Sequence, residues 1–104
     1  MKLKRLGLLA TVVAFVAIAA FGADQKAQSL YKSKCQACHG ADGKATAMGK
    51  KLGARDFQDP DVASMSEGDL AKVTKDGKGK MPAYKGKLTD KQIDDLVKYI
   101  KQMK

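Results

Sequence analysis

Cys35-Gln36-Ala37-Cys38-His39 is the stretch that decides the fold, because Cys-x-x-Cys-His is the pattern of covalent haem attachment. The chain has two cysteines and one histidine, and all three lie in this stretch. Side chains three and four positions apart share one face of a helical turn, so both thiols can meet the vinyl groups on one edge of a porphyrin. The sequence therefore predicts one haem c per chain, bound through Cys35 and Cys38, with His39 as the proximal iron ligand.

The two cysteines have other possible uses: a redox-active dithiol, a structural disulfide, or half of a zinc site. A thioredoxin-like dithiol needs a βαβ setting, and the segments around the motif lack the alternating pattern of a strand. A structural zinc site needs four ligands, usually cysteine and histidine, whereas this chain offers three. The motif therefore favours haem over these alternatives.

The amino terminus has the composition of a secretory signal. Its basic residues are Lys2, Lys4 and Arg5. An uncharged apolar stretch follows at 6–21, which is the arrangement of a signal peptide. This stretch is shorter than the roughly 20 residues of a membrane-spanning helix, so cleavage is favoured over a retained anchor.

The small residues Ala20 and Gly22 fit cleavage before Ala23, and 17–19 offer a second site. The predicted organisation is a signal peptide at 1–22 and one haem domain at 23–104. We expect the mature protein in the periplasm, or anchored to the membrane if the signal is not cleaved. Contact with a membrane is then expected only through partner complexes or that uncleaved anchor.

The predicted mature chain is basic, with 17 lysine and arginine residues against 11 acidic ones after the signal is removed. No nucleic-acid-binding motif is present, and an exported chain meets no genome, so nucleic acid is not expected as a partner. The lysines between the haem motif and Leu88 are Lys44, Lys50, Lys51, Lys78, Lys80, Lys85 and Lys87. We call them the basic rim. Such a rim would steer docking to redox partner proteins with acidic surfaces.

The apolar pattern predicts an all-α fold of three to four short helices joined by glycine-rich loops. The first helix covers about 24–34 and ends at the haem motif. Ser66 is a candidate N-cap for the second, which Gly77 would end. Thr89 and Gln92 form a capping-box pattern at the start of the third. The apolar face of this third helix consists of Ile93, Leu96, Val97, Ile100 and Met103.

The second axial ligand is predicted to be a methionine, because the only histidine is already assigned. Met81 lies between glycines and Pro82, where the chain is extended and turning and can deliver a sulfur to iron. Met103 falls on the helical apolar face and Met65 precedes a helix, so both suggest packing. Met48 follows the motif too closely for a loop that must cross the ring.

The chain resembles the class I cytochrome c family, in particular its small bacterial members with one haem. The resemblance rests on the motif at 35–40, on Gly79-Lys80-Met81-Pro82-Ala83-Tyr84, and on the terminal helix pattern at 88–100. It implies a cytochrome c fold wrapped around one covalently attached haem, and thioether formation on the outer side of the bacterial membrane. It also implies that the first and last helices cross, at positions matching Ala27, Tyr31, Leu96 and Tyr99.

The chain departs from the family pattern after the haem motif. Many members carry a proline there, whose neighbouring carbonyl orients the proximal imidazole, whereas no proline lies between His39 and Pro60. The acceptor for the imidazole N–H is therefore open. Arg55, the one arginine of the predicted mature chain, is either a partner of a haem propionate or a surface residue.

Iron with both axial positions filled has no open site for oxygen or peroxide, so it exchanges electrons without ligand chemistry. We therefore expect a monomeric periplasmic carrier of single electrons and not an enzyme. A peroxidase-like enzyme or a small subunit of a catalytic complex is the main alternative, but no distal histidine is available for it. A sensor whose Met81 dissociates to admit a ligand is a third interpretation.

Overall fold

The computed structural model describes residues 22–103, which fold as helices and loops. The helical segments are α1 (22–34), α2 (Gln36–His39), α3 (Ala47–Lys51), α4 (Pro60–Ala63), α5 (Glu67–Asp76) and α6 (Asp90–Lys101). The predicted signal sequence at 1–21 lies outside the described residues. Within them, the only pairings of strand type are two isolated bridges, between Lys78 and Met81 and between Lys85 and Leu88. The predicted all-α class is confirmed.

The two longer helices after the haem motif begin where the sequence predicts, and α5 also ends where it predicts. The Ser66 hydroxyl accepts a hydrogen bond from the Asp69 amide at 3.0 Å and caps α5. Gly77 ends that helix with a φ of +76°, a left-handed conformation that glycine adopts without strain. At α6, the Thr89 hydroxyl accepts from the Gln92 amide, and the Gln92 side chain accepts from the Thr89 amide. This reciprocal capping box satisfies two of the free N–H groups at the helix start.

Two single-turn helices were not predicted. Thr46 caps α3 by accepting from the Gly49 amide at 3.0 Å. Asp59 caps α4 by accepting from the Asp61 amide at 3.3 Å, and Pro60 occupies the first helical position, where its missing N–H costs nothing. These turns shape the long connection between the haem motif and α5.

The core forms where α1 meets α6. The largest fully buried side chains are Tyr31, Ile93, Leu96 and Val97. The Tyr31 and Tyr99 rings lie 5.5 Å apart at an interplanar angle of 56°, and Ala27 on α1 is also buried. The predicted contact between the first and last helices is therefore confirmed. In the described part of the chain, no helix has the length and apolar content needed to cross a bilayer.

Candidate functional site

The haem motif forms a helical turn that continues α1. The Cys35 amide donates to the Tyr31 carbonyl at 2.9 Å, and the His39 amide donates to the Cys35 carbonyl at 3.0 Å. Both thiols are free. The backbone of this segment is therefore a helical turn, in which positions i, i+3 and i+4 lie near one face.

Tyr31 holds the carboxyl end of this turn in place through a side-chain hydrogen bond. Its hydroxyl donates a buried hydrogen bond of 2.6 Å to the carbonyl of Gly40, the residue after His39. Burial raises the pKa of the Tyr31 hydroxyl, with smaller contributions from neighbouring ionisable groups, so it remains a donor at neutral pH. The core residue of α1 therefore holds the carboxyl end of the haem motif in place.

Helix α3 and its N-cap Thr46 also contact the backbone of this turn. The Thr46 amide donates to the Cys38 carbonyl at 3.0 Å, and the Thr46 hydroxyl donates to the Ala37 carbonyl at 2.7 Å. Gly49 lies directly against the Cys38 carbonyl, where a methyl group would overlap with it. A residue without a side chain is therefore required at position 49 for α3 to approach so closely.

The surroundings of Cys35 and His39 favour the neutral forms of the thiol and the imidazole. Burial raises the pKa of the Cys35 thiol to about 11, although the nearby Lys34 charge acts in the opposite direction. Burial also lowers the pKa of His39. A neutral imidazole is the form that binds a metal.

His39 packs face to face on Phe57, with ring centroids 4.9 Å apart and an angle of 26°. Its Nδ1 is buried and has no hydrogen-bond partner among the residues that the structure describes. Buried polar atoms without partners are rare in proteins, so the described residues leave the hydrogen-bonding capacity of this imidazole unfilled. In many family members a carbonyl next to a proline accepts a hydrogen bond from the imidazole. Among the residues that the structure describes, none accepts such a bond from His39 Nδ1.

A cavity of about 500 Å³ lies beyond Phe57. Its apolar lining consists of Phe57, Val62, Ala63, Leu70, Ile100 and Met103. Pockets of a few hundred cubic ångströms with mainly apolar walls are typical of cofactor sites. None of the four predicted haem residues lines this cavity, but His39 adjoins it through the stacked Phe57 ring. The free thiols and the half-buried imidazole are the donor groups that a covalently attached porphyrin needs, and the apolar cavity lies behind the adjoining Phe57 ring.

The loop that carries Met81 is closed by paired backbone hydrogen bonds. The Lys78 amide donates to the Met81 carbonyl at 3.2 Å, and the Met81 amide donates to the Lys78 carbonyl at 2.9 Å. Gly77 lies against the same Met81 carbonyl, so a larger residue there would displace the loop. The Met81 residue itself is half-buried.

Tyr84 joins this loop to the haem motif. Its hydroxyl donates to the Lys34 carbonyl at 3.0 Å, and its amide donates to Thr74 on α5 at 3.0 Å. Burial raises the pKa of the Tyr84 hydroxyl, and the Cys35 and Cys38 thiols add to the shift because they are close. The Met81 loop thus lies next to the haem motif, although Met81 is more than 40 residues from Cys35 and Cys38 in the sequence.

The other methionines occupy positions with different surroundings. Met48 on α3 is 52% exposed. Met103 packs against the core and lines the cavity, and Met65 is half-buried before α5. Met103 has the predicted packing role, although it lies two residues beyond the end of α6 and not on the helix as predicted.

Arg55 makes two ion pairs at the surface. Its guanidinium contacts the Asp59 carboxylate at 3.0 Å and the Asp61 carboxylate at 3.1 Å, with 55% of the side chain exposed. Of the two roles that the sequence allows for Arg55, the structure shows the surface role, since both acids belong to the start of α4.

The basic rim is exposed along its whole length. None of its seven lysines takes part in an ion pair within residues 22–103; the ion-paired lysines there are Lys75 and Lys91. Lys87 instead lies over the Tyr84 ring, with its Nζ 5.8 Å from the ring centroid. The loop that contains Met81 therefore carries unpaired positive charge at Lys78, Lys80, Lys85 and Lys87.

Sequence reasoning missed the part that three aromatic residues play at this site. Phe57 stacks on His39, Tyr31 binds Gly40, and Tyr84 binds Lys34. Aromatic residues are few in this chain, six in all, which was an available signal. No sequence pattern indicated the hydrogen bonds from the Tyr31 and Tyr84 hydroxyls to backbone carbonyls of other segments.

Comparisons with known proteins agree with this geometry. A protein-family model described as cytochrome c oxidase, cbb3-type, subunit III matches residues 22–100. Cytochrome c6 from Pyropia yezoensis is 31% identical over 102 residues, which cover 93% of this chain and 91% of that protein. Cytochrome c6 from Leptolyngbya boryana is 35% identical over 71 residues, which cover 68% and 81%. The solved structure of the KustC0563 c-type cytochrome superposes with a TM-score of 0.70 and 33% identity, covering 74% of this chain and 95% of that one.

Proposed function

The chain belongs to the small class I c-type cytochromes, and from that premise we propose that it is a periplasmic one-electron carrier whose haem iron is ligated by His39 and Met81. It is an electron-transfer protein with covalently bound haem c, and it acts with redox partner proteins. Bound haem c supplies an iron that gains and loses one electron. The residues of the chain hold that iron, exclude water from it and present it to partners.

The observation that supports the attachment is the geometry of the α2 turn. Cys35 and Cys38 carry free thiols on one face, and His39 follows on the same face with a buried nitrogen that lacks a described partner. We assign both thiols to thioether bonds and the imidazole to the iron. The carbonyls at the ends of this turn are held by Tyr31 and Thr46, so the donor groups are fixed before a ligand binds.

The observation that supports Met81 is the Tyr84 bond to Lys34. This bond holds the segment after Met81 beside Cys35. The paired backbone bonds between Lys78 and Met81 shape the loop without a helix, which leaves the thioether side chain on a turn. A thioether ligand favours ferrous iron more than a second nitrogen ligand does, so we expect a high reduction potential.

Export is part of this proposal. The basic residues and the apolar stretch of the first 22 residues support cleavage before Ala23 and residence in the periplasm. We further propose that the carrier is a monomer and that partners dock on the basic rim through acidic surfaces, because these lysines are exposed and lack described ion-pair partners.

Intact mass spectrometry tests the attachment. The expected mass is that of a chain beginning at Ala23 plus one haem, and the haem should survive extraction with acidic acetone. The variants Cys35→Ser and Cys38→Ser should each retain at most one thioether bond. Extractable haem in the unaltered protein would contradict the covalent attachment.

Carbon monoxide binding separates the carrier from the alternatives. A ferrous carrier with both axial sites filled should bind carbon monoxide slowly and weakly, because Met81 must leave first. A peroxidase-like haem or a sensor with an open or labile site should bind it rapidly. Rapid, complete binding in the unaltered protein would contradict the carrier proposal.

A further inference from the structure

The imidazole of His39 contacts an aromatic ring across its face. It packs on Phe57, with ring centroids 4.9 Å apart and an interplanar angle of 26°. An imidazole turns about the bond that joins it to its Cβ atom, and a hydrogen bond at Nδ1 commonly restricts this rotation at metal sites. Within residues 22–103, Nδ1 of His39 has no such bond. A ring packed flat on one face of the imidazole restricts the same rotation by contact.

Phe57 is itself held in place by the loop after the haem motif. Its amide donates to the Gly43 carbonyl at 2.8 Å, and the neighbouring Asp56 carboxylate accepts from the Ala45 amide at 2.8 Å. Gly43 has a φ of +82°, and a Cβ atom at this position would lie 2.8 Å from a ring carbon of Phe57. The Tyr31 ring meets the Phe57 ring edge to face, with centroids 6.4 Å apart. The Phe57 ring is therefore positioned before a ligand binds.

We propose that Phe57 sets the plane of the proximal imidazole by stacking on it. In many members of the family, a carbonyl beside a proline does this by accepting a hydrogen bond from the imidazole, whereas no proline lies between His39 and Pro60 in this chain. The inference rests on the proposed ligation of iron by His39. Phe57 is a positioning residue, because it acts through His39 and not on the iron.

The other aromatic side chains near the haem motif have different contacts. The Tyr31 hydroxyl donates to Gly40, and the Tyr84 hydroxyl donates to Lys34. Within residues 22–103, Phe57 is the aromatic residue whose ring pairs with that of His39. A change at position 57 therefore removes the imidazole contact without removing a donor from either hydrogen bond.

The plane of the imidazole can be measured in the haem-loaded ferric protein. The unpaired electron of low-spin ferric iron spreads unequally over the four pyrrole rings, and the direction of this inequality follows the planes of the axial ligands. The proton NMR shifts of the four haem methyl groups therefore report how the imidazole is turned. A loss of stability that leaves the ligands in place does not change them.

The first test compares Phe57→Leu, Phe57→Tyr and Val62→Ala. Phe57→Leu keeps an apolar side chain but removes the flat face, so the imidazole samples more than one plane and the spread among the four methyl shifts should narrow. Phe57→Tyr keeps the ring and should retain the spread of the unaltered protein. Val62 lines the same cavity as Phe57 and offers no ring to His39, so Val62→Ala should leave the spread unchanged.

A second test leaves both rings in the chain. Gly43→Ala places a methyl group against the Phe57 ring, so it should displace that ring and change the methyl shifts. Gly53→Ala is the matched control. Gly53 has a φ of +90°, which strains an added side chain in the same way, but no atom lies within 4 Å of its added Cβ. Gly53→Ala should therefore leave the methyl shifts unchanged.

Three results would overturn the role of Phe57. The first is an unchanged set of methyl shifts in Phe57→Leu. The second is an equal change in Phe57→Leu and Val62→Ala, which would show a general loosening of the cavity wall. The third is an equal change in the two glycine variants, which would show an effect of backbone strain alone. If Phe57→Leu does not retain haem, the glycine pair decides the matter.

A failure of the proposed function is seen in a different measurement. The chain has one histidine, so the imidazole proton signals of the unaltered ferrous protein belong to His39. Iron ligation in a haem should move these signals far from the positions of an unbound imidazole, because the ring then lies over the porphyrin. Signals at the unbound positions would refute ligation by His39, whatever the variants at position 57 show.

Discussion

The Tyr31 hydroxyl lies 2.6 Å from the Gly40 carbonyl and donates a buried hydrogen bond to it. The two residues flank the haem motif, so this bond closes the turn that carries both cysteines and the histidine. Tyr31 also belongs to the core where α1 contacts α6. The packing of the first and last helices and the shape of the haem turn therefore depend on one side chain.

Replacing Tyr31 by Phe tests this link. The variant keeps the ring but leaves the Gly40 carbonyl buried without its donor, which costs about 1–3 kcal/mol of unfolding free energy. Tyr99→Phe is the matched control, because the Tyr99 ring packs 5.5 Å from Tyr31 and its hydroxyl makes no side-chain hydrogen bond within residues 22–103. Denaturant melts of the haem-loaded variants would measure the difference. Equal losses from both variants would show that the Gly40 bond contributes nothing specific.

The same tyrosine predicts a dependence on alkaline pH. Burial raises the pKa of Tyr31 in the folded protein above the ordinary value of 10.0. Above pH 10 the unfolded chain loses this proton while the folded chain keeps it, so the folded state binds more protons and the unfolding free energy falls as pH rises. The contribution is complete below pH 10. The stability advantage over Tyr31→Phe should shrink between pH 10 and 11, by up to about 1.4 kcal/mol per pH unit. A constant advantage across this range would contradict the raised pKa.

Two glycine-to-alanine changes should have opposite effects. Gly49→Ala forces a methyl group into the Cys38 carbonyl and should destabilise the protein by about 1–3 kcal/mol. Gly68→Ala lies in the first turn of α5, where the nearest atom to a new methyl is 3.8 Å away, and should stabilise the helix by about 0.5 kcal/mol. Thermal melts would report the signs. If Gly49→Ala also stabilised the protein, the close approach of α3 to the haem turn would be wrong.

The basic rim predicts how salt affects electron transfer. Charge reversal at Lys80 and Lys85 should lower the association rate with an acidic partner such as reduced flavodoxin, because exposed charges steer docking. The loss should fade as salt rises, since screening acts over about 10 Å at 0.1 M ionic strength. Charge reversal at Lys72 and Lys98, exposed on α5 and α6, is the control. Stopped-flow rates at several salt concentrations decide the matter. Equal losses from both pairs would mean that net charge, and not the rim, sets the rate.

Local signals were sufficient for the haem turn and the longer helices. The caps Ser66 and Thr89 and the terminator Gly77 act through their own neighbours, so sequence alone located α5 and α6. Helix α3 was missed because it contains Gly49 and exposes Met48, which removes the usual amphipathic pattern.

Some features could have been read and were not. The pair Asp59 and Pro60 is an N-cap followed by proline at the first helical position, which is a recognisable start signal for α4. Long-range contacts are different, because nothing local to Tyr84 indicates a bond to Lys34 fifty residues away.

The most direct measurement of the central claim is the absorption band that ferric haem shows near the red edge of the visible spectrum when a methionine sulfur binds the iron. We expect the unaltered protein to show this band and Met81→Ala to lose it, with a lower reduction potential and with the haem still covalently attached. Met48→Ala, which alters an exposed methionine, should keep the band. Retention of the band in Met81→Ala, or its loss in Met48→Ala, would contradict ligation of the iron by Met81.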